Sequence, residues 1–187
     1  MLETRNTAVR TAPLPLAKEE IAGVAIEPLA PRARLSLRLR PAEAARIGSV
    51  AGLALDVGIN RTSDAEGRRA MRLGPDEWLI LGDADEAEEL AARMDAELAG
   101  VFHALVDVGH RTCGLLVRGA DAEAALNAGC PLDLAPSAFP VGMATRTVLG
   151  KSEILLARLG DDAFEVECWR SFAEYVRGFL VEAARGL

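Results

Sequence analysis

The stretch Arg69-Ala-Met-Arg-Leu-Gly-Pro-Asp-Glu-Trp-Leu-Ile-Leu81 decides how the chain is read. Two apolar runs, Arg69–Leu73 and Trp78–Leu81, flank Gly74-Pro-Asp-Glu77, whose residue types predict a β-hairpin. A second stretch has the same layout. Leu159-Gly-Asp-Asp-Ala-Phe164 sets an aromatic behind an acidic turn, as Leu73-Gly-Pro-Asp-Glu-Trp78 does. Upstream of each lies another matching pair, Arg38-Leu-Arg-Pro-Ala-Glu-Ala-Ala45 and Arg118-Gly-Ala-Asp-Ala-Glu-Ala-Ala125. In each half a strand leads into a short helix, then a hairpin, then a longer helix. One such half is small for independent stability. The fold expected is therefore α+β: two pseudo-repeated β-α-β-β-α units, residues 31–109 and 110–187, packed into a single body.

Working outward, residues 1–30 read as an N-terminal arm, with Val24–Glu27 as a short strand inside it. In Arg34–Arg40, leucines alternate with Arg34, Arg38 and Arg40, the period of a half-buried strand. The arginine face is either an anion site or a solvated sheet surface. Pro41 suits the first turn of a helix over Ala42–Val50, and residues 56–68 read as a loop. Asp83 with Glu86, and Ser171 with Glu174, have capping-box spacing. The helices behind them would bury Ala87, Leu90, Met94 and Leu98 in one case, and Phe172, Val176, Phe179 and Ala183 in the other. Asp121 is placed to cap a short helix. Strands are expected at Val101–Val108, Cys113–Val117, Ala144–Leu149, Ile154–Leu159 and Ala163–Glu167.

Composition narrows the function classes. Half of the 187 residues are hydrophobic, enough for a packed core, and the formal net charge is −7. An acidic chain with 4% aromatics is poorly suited to nucleic-acid backbones or base stacking. No apolar run approaches a membrane span, and Met1–Arg10 lacks the apolar segment of a secretory signal, so the expectation is cytoplasmic. Cys113, Cys130 and Cys168 form neither a disulfide framework nor a zinc motif. His103 reads as a core or half-buried residue. His110 lies close to Asp107, a pair able to orient an imidazole, but the nearest nucleophile, Cys113, opens a strand. Nucleotide loops and hydrolase motifs are absent from the sequence. No catalytic residue, metal site or bound cofactor is expected.

Two features remain as partner-interface candidates. One is the Pro-punctuated segment Cys130–Gly142, with Asp133 and Phe139. The other is Trp169-Arg170, residue types enriched at binding hot spots.

Three motifs carry a resemblance: Leu73-Gly-Pro-Asp-Glu-Trp-Leu-Ile-Leu81; Gly129-Cys-Pro-Leu-Asp-Leu134 with Phe139-Pro140 and Gly142; and Arg170-Ser-Phe-Ala-Glu-Tyr175. In order and spacing the chain resembles the gamma subunit of heterotetrameric sarcosine oxidase, from about Ile26 onward. Val106-Asp-Val-Gly-His-Arg111 and Gly160-Asp-Asp-Ala-Phe-Glu165 are similar to segments of the folate-binding aminomethyltransferase fold. The resemblance implies a non-catalytic subunit with a structural role, partnered by alpha, beta and delta subunits. It implies a complex that demethylates sarcosine to glycine and passes the one-carbon unit to tetrahydrofolate. FAD, FMN, NAD and tetrahydrofolate would belong to the larger subunits. The alternative is a free-standing folate-binding or aminomethyltransferase-like protein.

Overall fold

The computed structural model describes residues 12–187. The reading of Met1–Arg10, the first third of the arm, lies outside the described residues. In chain order the elements are β1 (Glu19–Ile21), β2 (Val24–Pro28), β3 (Arg32–Leu39), α1 (Pro41–Ile47), β4 (Ser49–Val50), β5 (Leu53–Ala54), β6 (Arg61–Ala65), β7 (Arg68–Gly74), β8 (Glu77–Asp83), α2 (Ala87–Glu97), β9 (His103–Asp107), β10 (Thr112–Arg118), α3 (Ala122–Asn127), β11 (Ala144–Leu149), β12 (Ser152–Gly160), β13 (Ala163–Trp169) and α4 (Ala173–Arg185).

The strands form two main antiparallel sheets. The first has the order β6-β7-β8-β3-β9, the second β1-β2-β10-β13-β12-β11. Alternation along each strand gives each sheet two faces. Leu35, Leu37, Leu39, Trp78 and Ile80 pack with Ala44 of α1 and with Leu90 and Met94 of α2. Leu115, Val117, Phe164 and Val166 pack with Leu126 of α3 and with Val176 and Leu180 of α4. The helices therefore cover the outer faces. The inner faces meet through Met71 and Leu81 of the first sheet and Ala144, Leu155 and Ala157 of the second. The result is a mixed, sheet-rich α+β body in helix–sheet–sheet–helix order.

Both hairpins named above form, and both carry an unexpected anchor. At β7–β8 the register shifts between Arg72 and Gly74, and at β12–β13 between Arg158 and Gly160. Each shift re-aims an arginine along the hairpin. Arg72 lies over the Trp78 ring at 5.2 Å and donates to the Val57 carbonyl at 2.6 Å. Arg158 lies over the Phe164 ring at 4.8 Å and donates to the carbonyls of Leu134 at 2.6 Å and Phe139 at 3.1 Å. Each irregular connector is thus tied to the core through its own backbone carbonyls.

Several expectations are corrected. Residues 61–65 are strand β6, not loop, and pair with β7. Its outward side chains are polar, which hid the alternation. The expected β-α-β-β-α order of residues 31–109 therefore gains a strand. Val24–Pro28 is an inner strand held between β1 and β10, so residues 19–28 of the arm lie along the body as part of the second sheet. Neither capping box forms. The chain enters α2 and α4 through 3-10 turns at Ala84–Glu86 and Arg170–Phe172 without side-chain caps, and Asp121 makes no cap bond either. Glu86 instead accepts from Arg68 at 2.9 Å. The buried face of α4 is Ala173, Val176, Leu180, Val181 and Ala184, which leaves Phe172 39% exposed.

Phe139 is a further correction. At 1% exposure, packed among the second sheet and its helices, it is a core residue and presents nothing to a partner. Phe139→Ala is expected to destabilise the chain by about 3–5 kcal/mol, as large core truncations do. Urea unfolding followed by circular dichroism checks this, and an unchanged midpoint would contradict the placement.

Candidate functional site

The inner faces carry charge as well as leucine. On β13, Glu165, Glu167 and Trp169 alternate with the core residues Phe164, Val166 and Cys168. On β3, Arg32, Arg34, Ser36 and Arg38 alternate with the leucines of the first core. The two polar rows face one another across the gap. Arg34 donates from Nε to Glu167 Oε2 at 2.8 Å and from Nη2 to Oε1 at 3.0 Å, with both side chains 2% exposed. Arg32 Nη2 reaches Glu167 Oε1 at 2.6 Å and also pairs with Glu165. Arg69 Nη1 stands 3.6 Å from Glu165 Oε2. Burial pushes the Glu165 carboxyl above its usual range, with Arg32 opposing.

A second bridge crosses the gap at its other end. Glu77 of β8 accepts from Arg146 of β11 at 3.0 Å, and Arg38 Nη2 lies 2.9 Å from its Oε2. Arg146, hydrogen-bonded to it, holds the Glu77 carboxyl below the usual range despite burial, with Arg38 and Arg111 adding to the effect.

Between the bridges lies a cavity of about 340 Å3. Leu73, Leu79, Leu155 and Val108 supply apolar wall, and Glu77, Arg146, Arg111, Glu153 and Trp169 supply polar or aromatic lining. Trp169 is 46% exposed, and the Arg111 guanidinium lies over its ring at 5.8 Å.

The sequence candidates therefore scatter. Arg34 and Arg38 are paired with carboxylates of this chain, so neither is open to an external anion; Arg34 is buried, whereas Arg38 stays on the solvated surface. Arg40 lies apart, over the Phe102 ring at 5.9 Å. Asp133 is exposed, and its Oδ1 accepts from the Ala135 amide at 2.9 Å within its own turn. In the rest of that segment Cys130, Leu134 and Phe139 are buried, while Pro131, Pro136, Ser137, Ala138 and Val141 are exposed. Arg170 follows Trp169, and its amide donates to the Arg111 carbonyl at 3.0 Å. His110 is exposed, while Asp107 Oδ1 accepts from the Gly109 amide. His103 is bonded through both ring nitrogens, to Asp95 at 2.9 Å and to the Val101 carbonyl at 2.8 Å. Among the described residues no His, Cys, Asp and Glu group is placed to hold a metal ion. No helix among them is long and apolar enough to cross a membrane. The buried acids Glu165 and Glu167 were missed, although two carboxylates alternating with Phe164, Val166 and Cys168 are a legible signal.

A helix–sheet–sheet–helix body of this form is shared with an aminomethyltransferase of the glycine cleavage system from Bartonella henselae. The superposition gives a TM-score of 0.60 at 15% identity, over 88% of this chain and 50% of that one. It superimposes more closely on a chain of heterotetrameric sarcosine oxidase from Corynebacterium sp. U-96, with a TM-score of 0.81, 26% identity, and coverage of 90% and 87%. A family model described as "Sarcosine oxidase, gamma subunit family" matches residues 38–185, and the chain belongs to that family. The sarcosine oxidase subunit gamma of Corynebacterium sp. strain P-1 is 35% identical over 71% of this chain. An Arthrobacter sp. relative of the same description is 34% identical over 64% of it. These two alignments span 64% and 58% of the relatives' own lengths.

Two outcomes follow from the bridges. Arg34→Met alone should cost about 3–5 kcal/mol, because it leaves Glu167 buried with less compensation, whereas Arg34→Met with Glu167→Leu should recover much of that loss. Equal losses in the single and double variants, measured by urea unfolding, would contradict a direct pair. The Glu77 carboxyl titrates lower when folded than its ordinary 4.5. Its contribution is therefore present above that value and lost as pH falls through the folded one. The stability gap between the parent chain and Glu77→Gln should be widest above pH ~5 and close on acidification. A gap independent of pH would contradict the pairing.

Proposed function

We propose that the chain serves as the gamma subunit of a heterotetrameric sarcosine oxidase, with a structural role and no active centre of its own. The observation that carries this reading is the family match over residues 38–185, together with the close superposition on a chain of such a complex. The geometry is consistent with it. Arg32, Arg34 and Arg38 are committed to carboxylates of the same chain, and Cys113 and Cys168 face each other as buried thiols. In this reading the partners are the alpha, beta and delta subunits, and the complex works in the cytoplasm. FAD, FMN, NAD and tetrahydrofolate are held by those partners, which demethylate sarcosine and pass on the one-carbon unit.

The two halves are, in this reading, a pseudo-repeat. Support comes from the matched strand orders, the paired Arg72 and Arg158 anchors, and a reciprocal contact. The Thr62 amide donates to Gly142, and the Ala144 amide donates to Asn60, at 3.0 and 3.1 Å. Corresponding positions thus bond to each other.

For docking, the candidate surface runs from Trp169 and Arg170 to Phe172 and Tyr175. The exposures of the three aromatics, 46%, 39% and 39%, leave an apolar strip at the start of α4. Co-expression with the other subunits tests the assignment. The chain is expected to co-purify with them, and Trp169→Ala to weaken assembly by about 2 kcal/mol. A complete, fully active complex formed without this chain would overturn the reading.

A further inference from the structure

We propose that the cavity between the sheets is a binding site for a small organic monocarboxylate with a planar apolar body. This goes beyond the subunit assignment and does not depend on it. The volume, about 340 Å3, falls within the range of roughly 300–1,000 Å3 over which proteins bind small molecules. Leu73, Leu79 and Leu155 give the space apolar walls, which favour a hydrocarbon body over bulk water.

Three groups at this site have chemistry that the chain leaves unused. Thr112 Oγ1 is buried and has no hydrogen-bond partner among the described residues. A buried hydroxyl in that state is costly, and an acceptor atom of a ligand relieves it. Arg111 is the second. Arg146 is committed to Glu77 and Arg34 to Glu167, but Arg111 makes no salt bridge among the described residues: it rests against the Trp169 ring and acts on Glu77 only at a distance. A guanidinium so placed is matched by a carboxylate. The third is the Trp169 ring itself, half open beside the cavity and able to stack on a flat ligand.

Charge at the site limits the ligand further. Glu77 and Glu167 also line the cavity, but each is neutralised by two guanidiniums. Glu153 lies on the same lining and acts on Arg146 electrostatically. A single carboxylate beside Arg111 and Thr112 is therefore accommodated, while a second negative charge would meet Glu153.

The full chain titrated with 2-naphthoate by calorimetry and by tryptophan fluorescence tests this. The chain has two tryptophans, and the buried Trp78 lies in the other core, so a bound ring reports through Trp169. Binding is expected with a dissociation constant of about 1 mM or tighter, consistent with the modest ligand efficiency of a molecule this size. Uncharged 2-naphthamide and the Arg111→Gln variant should each weaken it about tenfold. Thr112→Val should weaken it severalfold, and Leu79→Trp should abolish it by filling the space. Arg111→Gln, at the surface, keeps the test decisive if Leu79→Trp does not fold. Absence of binding at about 10 mM, or an affinity indifferent to Arg111 and to the ligand's charge, would overturn the proposal.

Discussion

Everything in this fold turns on the pairing of Arg34 with Glu167 across the gap between two sheets. Both side chains are 2% exposed, so neither can shed its charge into solvent. Taking two ions out of water is expensive, and only good geometry with further hydrogen bonds offsets it. The two parallel bonds of the guanidinium fork meet that condition, and Arg32 adds a further bond to Glu167 Oε1 and reaches Glu165. Such a pair adds little net stability over a well-packed apolar contact. What it adds is selectivity, because a leucine row tolerates slippage between sheets and a buried bidentate pair does not. The Glu77 bridge to Arg38 and Arg146 repeats the device at the other end of the gap. The space left between the bridges is the cavity.

The hydrophobic period made most of the body legible. Strand β3, with its strict alternation, and β7, β8, β11 and β13, with their apolar residues, lie where the leucines, valines and aromatics place them. The face of α2 is likewise Ala87, Leu90 and Met94, as its spacing requires. Legibility failed where a side chain answers to a distant partner. Strand β6 has Thr62, Ser63 and Asp64 in place of apolar residues, because it lies at the sheet edge and draws its order from β7. Glu86 fits a capping box in sequence, yet its carboxylate goes to Arg68 eighteen residues away.

The same reason explains the candidate site. Arg34 and Arg38 looked like a solvated or anion-binding face because their carboxylates lie on other strands: Glu167 is distant in sequence, and Glu77 belongs to the hairpin. Phe139 looked like an anchor for a partner because the prolines around it suggested an exposed connector. Arg158, on β12, pulls that connector's carbonyls onto the core instead. Among the interface candidates Trp169 stays at the surface beside the cavity, and Asp133 stays exposed on the connector. A frame of this kind suits a subunit: Arg34, Arg38, Glu77 and Glu167 are consumed internally, and an outer aromatic strip is left for contact.

Native-state hydrogen exchange on the full chain tests most directly whether the cross-gap ion pairs weld the two sheets into one cooperative body. The slowest amides of β3 and β8 should share a single opening free energy with those of β10 and β13. Protection that separates into two levels, with one sheet opening while the other stays closed, would contradict this account.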